Sequence, residues 1–280
     1  MSDDVRLYDH VDSYVLSHPI RDESATYYRR SIMTIEKWAK CEITFRTVSD
    51  DVVNRGLVAM QRHGLSAAYL RGIRAGILAV WRDAAAANLC DPPRRIRSAR
   101  FIPRPPQVWT REQMTQLVAA GAGVEGHFRT IMYPRGPYWE SLIRAAWDTG
   151  LRRRDLHRLR RADCRPEFNW TQHKTLKPVR VRLRKSTLNS IARLEREDTA
   201  ALWPLWGHPN SFLQAFAKLV DSTDIPPGPF KRIRKSAGTA AENICPGTGQ
   251  YLLGNTRREF EMHYMDALQF PTPQPPEIEL

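Results

Sequence analysis

Between Asp91 and Gln107 the chain reads PPRRIRSARFIPRPP. Proline has no N–H to donate and fixes φ, and it pushes the residue before it toward extended backbone. Pro92, Pro93, Pro103, Pro105 and Pro106 therefore bar any helix or interior strand from crossing this stretch. A chain of 280 residues interrupted there is expected to fold as two units. That length is enough to bury cores without disulfide staples.

The second constraint is charge. Lys and Arg number 43 against 30 Asp and Glu, a formal excess of +13. With 42% hydrophobic and 26% charged residues the chain is neither a disordered polyelectrolyte nor collagenous. A basic protein of this kind meets a polyanion, and nucleic acid is the default partner. No stretch of about 18–20 apolar residues is long enough to span a bilayer. The opening Met1-Ser2-Asp3-Asp4 has no apolar signal region. The four cysteines (Cys41, Cys90, Cys164, Cys245) lie far apart, without the spacing of a disulfide framework or a zinc site. The expectation is a cytoplasmic protein with no membrane partner.

The cations come in knots. Arg94, Arg95, Arg97, Arg100 and Arg104 lie in the proline-rich stretch. Arg152, Arg153, Arg154, Arg158, Arg160 and Arg161 crowd one short segment. Lys174, Lys177, Arg180, Arg182, Arg184 and Lys185 follow, and Lys231, Arg232, Arg234 and Lys235 form the last group. One such knot is an ordinary solvated face; four point to a surface that contacts phosphates.

The first half reads as four or five helices. Tyr28, Ile32, Ile35 and Ala39 recur at helical spacing, as do Leu70, Ile73, Ile77 and Val80 behind a candidate N-cap at Ser66. Weaker candidates lie near 5–17 and 48–63. The second half is mixed. Thr110 and Gln113 fit a capping box opening a helix to about Ala120. Trp139, Leu142, Ile143, Ala146 and Trp147 stripe a buried helix that stops at Gly150. A helix is expected over 154–161. Val179-Arg180-Val181-Arg182-Leu183 alternates apolar and basic, so it reads as a strand with a cationic face, paired with one around 163–174. Further helices are expected near 186–196, 210–222, 229–243 and 256–268. The tail PTPQPPEIEL has little to pack.

No phosphate-cradling G-x-x-x-x-G-K-[ST] or G-x-G-x-x-G loop is present, nor a histidine or carboxylate spacing suited to a metal, so no cofactor is expected. Strong cations and a late tyrosine remain. Two guanidiniums can grip the non-bridging oxygens of a phosphodiester as charge grows on them. A lysine can protonate a leaving alkoxide, and a hydroxyl nucleophile can store the bond as a covalent phosphoryl-enzyme.

In this order the residues resemble the tyrosine recombinase (phage integrase) family. Thr149-Gly150-Leu151-Arg152-Arg153-Arg154-Asp155-Leu156 is similar to its T-G-[LM]-R-x-x-E-[LI] box. His173-Lys174-Thr175-Leu176-Lys177-Pro178 resembles its β-hairpin lysine segment, and Lys231-Arg232-Ile233-Arg234-Lys235-Ser236 resembles H-x-[LI]-R-[HK]-[ST]. Leu252-Leu253-Gly254-Asn255 resembles the L-G-H box, and Tyr264 follows nine residues later. The chain departs from the family at Lys231, where His is usual, and at Asn255, where His or Trp is usual. The residues alone leave rivals open: Arg153 or Arg154 for Arg152, Lys177 for Lys174, and a core role for Tyr264 like that of Tyr251 or Phe260.

The resemblance implies a mainly α fold with a small antiparallel β-sheet: a helical, SAM-like core-binding domain (1–98), an Arg/Pro-rich linker (99–107), an α+β catalytic domain (108–268) and a C-terminal tail (269–280). It implies Arg152, Lys174, Lys231, Arg234, Asn255 and Tyr264 as catalytic residues, supported by Asp155, Lys235 and His263. Duplex contacts are expected from Arg94, Arg95, Arg97, Arg100, Arg104, Arg153, Lys177, Arg180 and Arg182. The implied activity is site-specific recombination or integration through a 3′-phosphotyrosine, without metal or ATP. The implied partners are double-stranded DNA and further copies of the chain, two per site and four in a synapse. The alternatives are a silent DNA-binding descendant and a type IB topoisomerase-like relaxer.

Overall fold

The computed structural model describes residues 4–19, 22–100, 106–128, 133–194, 197–204 and 209–265. The chain divides into two compact units, Met1–Ile102 and Pro103–Leu280. Arg104 and the tail 269–280 lie outside the described residues.

Unit 1 is built from α1 (His10–Ser17), α2 (Asp22–Ala39), α3 (Asp50–Arg62) and α4 (Ala67–Ala86). Ser49 and Ser66 cap α3 and α4, each accepting a backbone N–H of the first turn. The striped positions form the core: Ile32 and Ile35 of α2 meet Val53 and Met60 of α3 and Ile73, Ile77, Val80 and Trp81 of α4. The start of the arginine-rich stretch is fastened to this unit. The N–H groups of Arg94 and Arg95 donate to the Asp50 carboxylate at 3.1 and 2.7 Å. The N–H of Arg97 donates to Asn54 at 2.8 Å, and Arg74 donates to the Ile96 carbonyl. The side chains of Arg94, Arg95, Arg97 and Arg100 remain exposed.

Unit 2 opens with α5 (Arg111–Ala122), whose Thr110–Gln113 capping box forms as expected. A two-residue hairpin follows, β1 (His127–Phe128) with β2 (Tyr133–Pro134), which the sequence pattern did not indicate. The long buried helix α6 (Arg135–Thr149) ends at Gly150, whose φ of 58° is the left-handed cap that only glycine adopts at little cost. The helix expected over 154–161 is cut to α7 (Arg153–Leu156) and a short 3-10 turn (Arg161–Asp163), because the backbone there pairs with a distant segment: the Leu159 carbonyl accepts the Leu202 N–H at 2.9 Å and Arg160 bridges Ala201 antiparallel. β3 (Glu167–Thr171) and β4 (Pro178–Arg182) pair antiparallel, with Phe168 opposite Val181 and Trp170 opposite Val179. Val179 and Val181 are buried and Arg180 and Arg182 exposed, as the alternation predicts. Glu167 partly neutralises that cationic face by pairing with Arg180 and, at 3.8 Å, with Arg182.

The remaining helices are α8 (Lys185–Ala192), α9 (Pro209–Asp221), α10 (Lys231–Ile244), α11 (Thr248–Leu253) and α12 (Arg257–His263). One helix was expected over 256–268. α12 lies within that span, started by the Thr256–Glu259 capping box, and α11, which the sequence pattern did not indicate, precedes it and ends at Gly254 with φ of 61°. The core joins Trp109, Tyr138, Trp139, Leu142, Phe212, Phe216, Phe230 and Ile233. No helix among the described residues is long and apolar enough to cross a membrane.

Candidate active site

The site lies in unit 2, where the ends of α6, α10, α11 and α12 meet the β3–β4 hairpin. Arg234 projects from α10 on its buried face. Its Nη1 donates to the Gly150 carbonyl, Nη2 donates to the Leu253 carbonyl at 2.7 Å, and Nη2 also reaches Asn255 Oδ1 at 3.5 Å. One guanidinium thus ties the cap of α6 to the end of α11. Its Nε is buried with no hydrogen-bond partner among the described residues, and so is Asn255 Nδ2. Burial depresses Arg234 to a pKa of about 10, Arg152 adds repulsion, and Tyr264 and Asp155 oppose the fall.

Arg152 stands at the N-terminus of α7, set by the turn that Gly150 makes. Its Nη1 donates to Gln172 Oε1 at the end of β3. Asp155, one turn along, is buried. Its Oδ1 accepts from the His173 N–H at 2.7 Å and from Trp170 Nε1 at 3.4 Å, so it holds the hairpin to α7. Its Oδ2 has no partner among the described residues.

Tyr264 follows α12 and is half-buried, with the Arg234 guanidinium 5.2 Å from its ring centre. Burial alone pushes its phenol up. The charges of Arg234 and Arg152 and a hydrogen-bonding contact with Arg234 outweigh this and hold it below the ordinary phenol range. The backbone of Tyr264 is fastened as well: Thr239 Oγ1 on α10 donates to its carbonyl at 2.9 Å. Four residues earlier, Phe260 is fully buried. Arg257 at the start of α12 donates to Glu242, a buried carboxylate that also accepts the N–H groups of Gly247 at 2.8 Å and Gly249 at 3.0 Å. Neither Glu242 nor Gln172 drew attention in the sequence, since a polar residue near a turn is ordinary; both are buried here and satisfy their hydrogen bonds within the fold.

Arg152, Arg234, Asn255 and Tyr264 therefore converge. The lysines are disposed differently. Lys174 is exposed in the hairpin turn and Lys231 is exposed at the start of α10. Lys235 is half-buried one turn beyond Lys231; burial first, then the charge of Lys231, depresses it, and it senses the charge of Tyr264. His263 is exposed beside Tyr264. Among the rivals, Arg153 lies with its guanidinium 5.2 Å from the centre of the Phe212 ring, and its place there is in packing. Arg154 is exposed, Lys177 is exposed beyond the turn, Tyr251 is 74% exposed, and Phe260 is core. Arg232 turns away from the site: it packs over Trp109 at 5.2 Å and donates to Gln107 at 2.6 Å.

No protein-family model matches the chain, and no curated protein matches its sequence. Solved structures do match in three dimensions. A lambda integrase dimer bound to a COC′ core site is 17% identical, with a TM-score of 0.73 over 98% of this chain and 81% of that one. A lambda integrase of residues 75–356, also bound to a COC′ core site, is 16% identical, with a TM-score of 0.71 over 98% of this chain and 100% of that one. The Tn1549 transposon integrase in complex with a circular intermediate DNA is 12% identical, with a TM-score of 0.66 over 93% and 95%. At such identities the likeness establishes architecture, and over nearly its whole length the chain has the fold of these tyrosine recombinases.

Proposed function

We propose that the protein cuts and rejoins DNA strands through a phosphotyrosine, as a site-specific recombinase or integrase. The single observation that carries this reading is the meeting of Arg152, Arg234 and Asn255 around Tyr264, with the buried Arg234 Nε and Asn255 Nδ2 lacking partners among the described residues. A buried unsatisfied donor costs about 1–3 kcal/mol, and a phosphate oxygen is the acceptor that two guanidiniums and an amide suit.

Arg152, Arg234 and Asn255 hold the non-bridging oxygens, and their charge stabilises the pentacoordinate transition state. Tyr264 Oη attacks phosphorus, its phenol already acidified by the same arginines. The phenol proton leaves to solvent as the phenolate attacks, and Lys231 and Lys235 at the start of α10 add positive charge beside the phosphate. The P–O5′ bond breaks, and Lys174 on the hairpin protonates the departing 5′-oxygen. The products are a 3′-phosphotyrosine and a 5′-hydroxyl. Attack by a 5′-hydroxyl from a partner strand reverses the step and completes exchange. Exposed Arg94, Arg95, Arg97, Arg100, Arg180 and Arg182, with Lys177, add phosphate contacts along the duplex, and further copies of the chain complete a synapse.

A nicked DNA substrate, from which the short 5′-hydroxyl fragment escapes after cleavage, tests this. The wild-type chain accumulates a covalent adduct and Tyr264→Phe does not. An adduct that survives Tyr264→Phe refutes the assignment. Specific binding with no adduct from the wild-type chain supports instead a silent DNA-binding protein, the reading that Asn255 and the exposed Lys231 favour.

A further inference from the structure

Gln172 is wholly buried at the foot of the β3–β4 hairpin, and both ends of its amide are engaged. Oε1 accepts from Arg152 Nη1 and, at 3.0 Å, from Thr175 Oγ1 in the turn. Nε2 donates at 2.9 Å to the Leu253 carbonyl, the oxygen to which Arg234 Nη2 also donates. One neutral side chain is therefore wired to both arginines and to the turn that carries Lys174. Gly254 makes room for it: a Cβ there would stand 2.8 Å from Gln172 Nε2 and 2.5 Å from Val179 Cγ1. Its amide supplies both the acceptor for Arg152 and Thr175 and the donor for Leu253. A carboxylate lacks the donor for Leu253, and a hydroxyl is too short to span them.

We infer that Gln172 is a positioning residue: it sets the Arg152 guanidinium against Arg234 and couples that grip to the docking of the hairpin. This rests on the strand-transfer reading. It predicts that Gln172 acts through Arg152 and touches no DNA itself. Misplacing a reacting group by about 1 Å costs on the order of 100-fold in rate.

The test is a double-mutant cycle on the nicked substrate, with single-turnover adduct formation read beside duplex affinity. Gln172→Met, which keeps the shape and removes both hydrogen-bonding ends, is expected to slow adduct formation about 10- to 100-fold with affinity changed less than about twofold. In an Arg152→Ala background the same change is expected to add less than about twofold. A methylphosphonate at the scissile position, which offers one charged oxygen fewer to grip, is expected to shrink the penalty. Equal slowing in both backgrounds, or no slowing, overturns the inference. If thermal melting shows that Gln172→Met does not fold, Gln172→Glu takes its place in the cycle, and an effect independent of Arg152 overturns it equally. Absence of any adduct from the wild-type chain is a separate result, and it removes the strand-transfer reading.

Discussion

Arg234→Lys keeps the charge at the centre of the site and removes the planar fork that carries it. In the structure the fork serves Gly150 and Leu253 through two nitrogens and leaves Nε for a ligand. A lysine has one nitrogen, and it cannot reach all three places. The Leu253 carbonyl keeps a donor in Gln172, while the Gly150 carbonyl loses the one the guanidinium supplied. The lost charge-assisted bond amounts to about 1.5–3 kcal/mol, and an ammonium is more strongly hydrated and so harder to bury. Unit 2 is therefore expected to lose about 2–4 kcal/mol, a fall of roughly 4–16 °C in Tm for a domain of this size. Chemistry should suffer more. Removing one preorganised donor from a developing anion costs about 100- to 1,000-fold. Thermal melting, duplex affinity and single-turnover adduct formation, measured together on the nicked substrate, separate the two effects. The expected pattern is near wild-type affinity with adduct formation at least about 100-fold slower. A lysine variant that cleaves within about threefold of wild type refutes the reasoning, because charge alone would then suffice and the fork geometry would be irrelevant.

Four further outcomes follow from the same contacts. In a 13C-tyrosine NMR titration, with Tyr264→Phe for assignment, Tyr264 should titrate below an ordinary phenol. Its folded pKa is depressed, so its ionisation adds stability as pH rises through that value and the gain is lost as pH falls; Arg152→Ala should move the titration upward, and an unmoved titration counts against the pairing. Glu242 is pushed up by burial but held below the usual carboxylate range by the Gly247 and Gly249 N–H groups and Arg257. Its stabilisation is present above the ordinary glutamate range and lost as pH falls through the folded value, so acid melting curves should flatten in Glu242→Gln, which also frees α12 and lowers adduct yield. Gly249→Ala would set a Cβ 2.3 Å from Phe260 Cζ and 2.6 Å from the Gly238 carbonyl, and calorimetry should show a loss of about 1–3 kcal/mol together with weaker adduct formation. Finally, log Kd plotted against log salt should be steep for duplex DNA, and replacing Arg94, Arg95 and Arg97 together by Ala should reduce the slope by about 3, at roughly 0.9 per phosphate contact; an unchanged slope removes these arginines from the interface.

The sequence by itself determined most of the helices and the β3–β4 pair, because these rest on local rules. The stripes through Ile32 and Ile35 and through Ile73 and Ile77 became buried helix faces, Ser66 and Thr110 capped where hydrogen-bonding chemistry places them, and Gly150 ended α6 in the left-handed conformation that glycine adopts at little cost. The alternation of Val179, Arg180, Val181 and Arg182 fixed which face of β4 is buried. Motif order also picked out Arg152, Arg234, Asn255 and Tyr264, which lie together in space. Local rules failed where distant segments compete for the same residues. The apparent helix over 154–161 yields to backbone pairing of Leu159 and Arg160 with Leu202 and Ala201, and Arg153 is drawn onto Phe212. Gln172 and Glu242 have no sequence signature at all: each is an unremarkable polar residue until folding removes its water. Only the tertiary structure then decides their partners, because a buried amide or carboxylate must satisfy its hydrogen bonds with whatever the fold brings within reach. For Gln172 the fold brings Arg152 and Leu253, and for Glu242 it brings Arg257 and the start of α11.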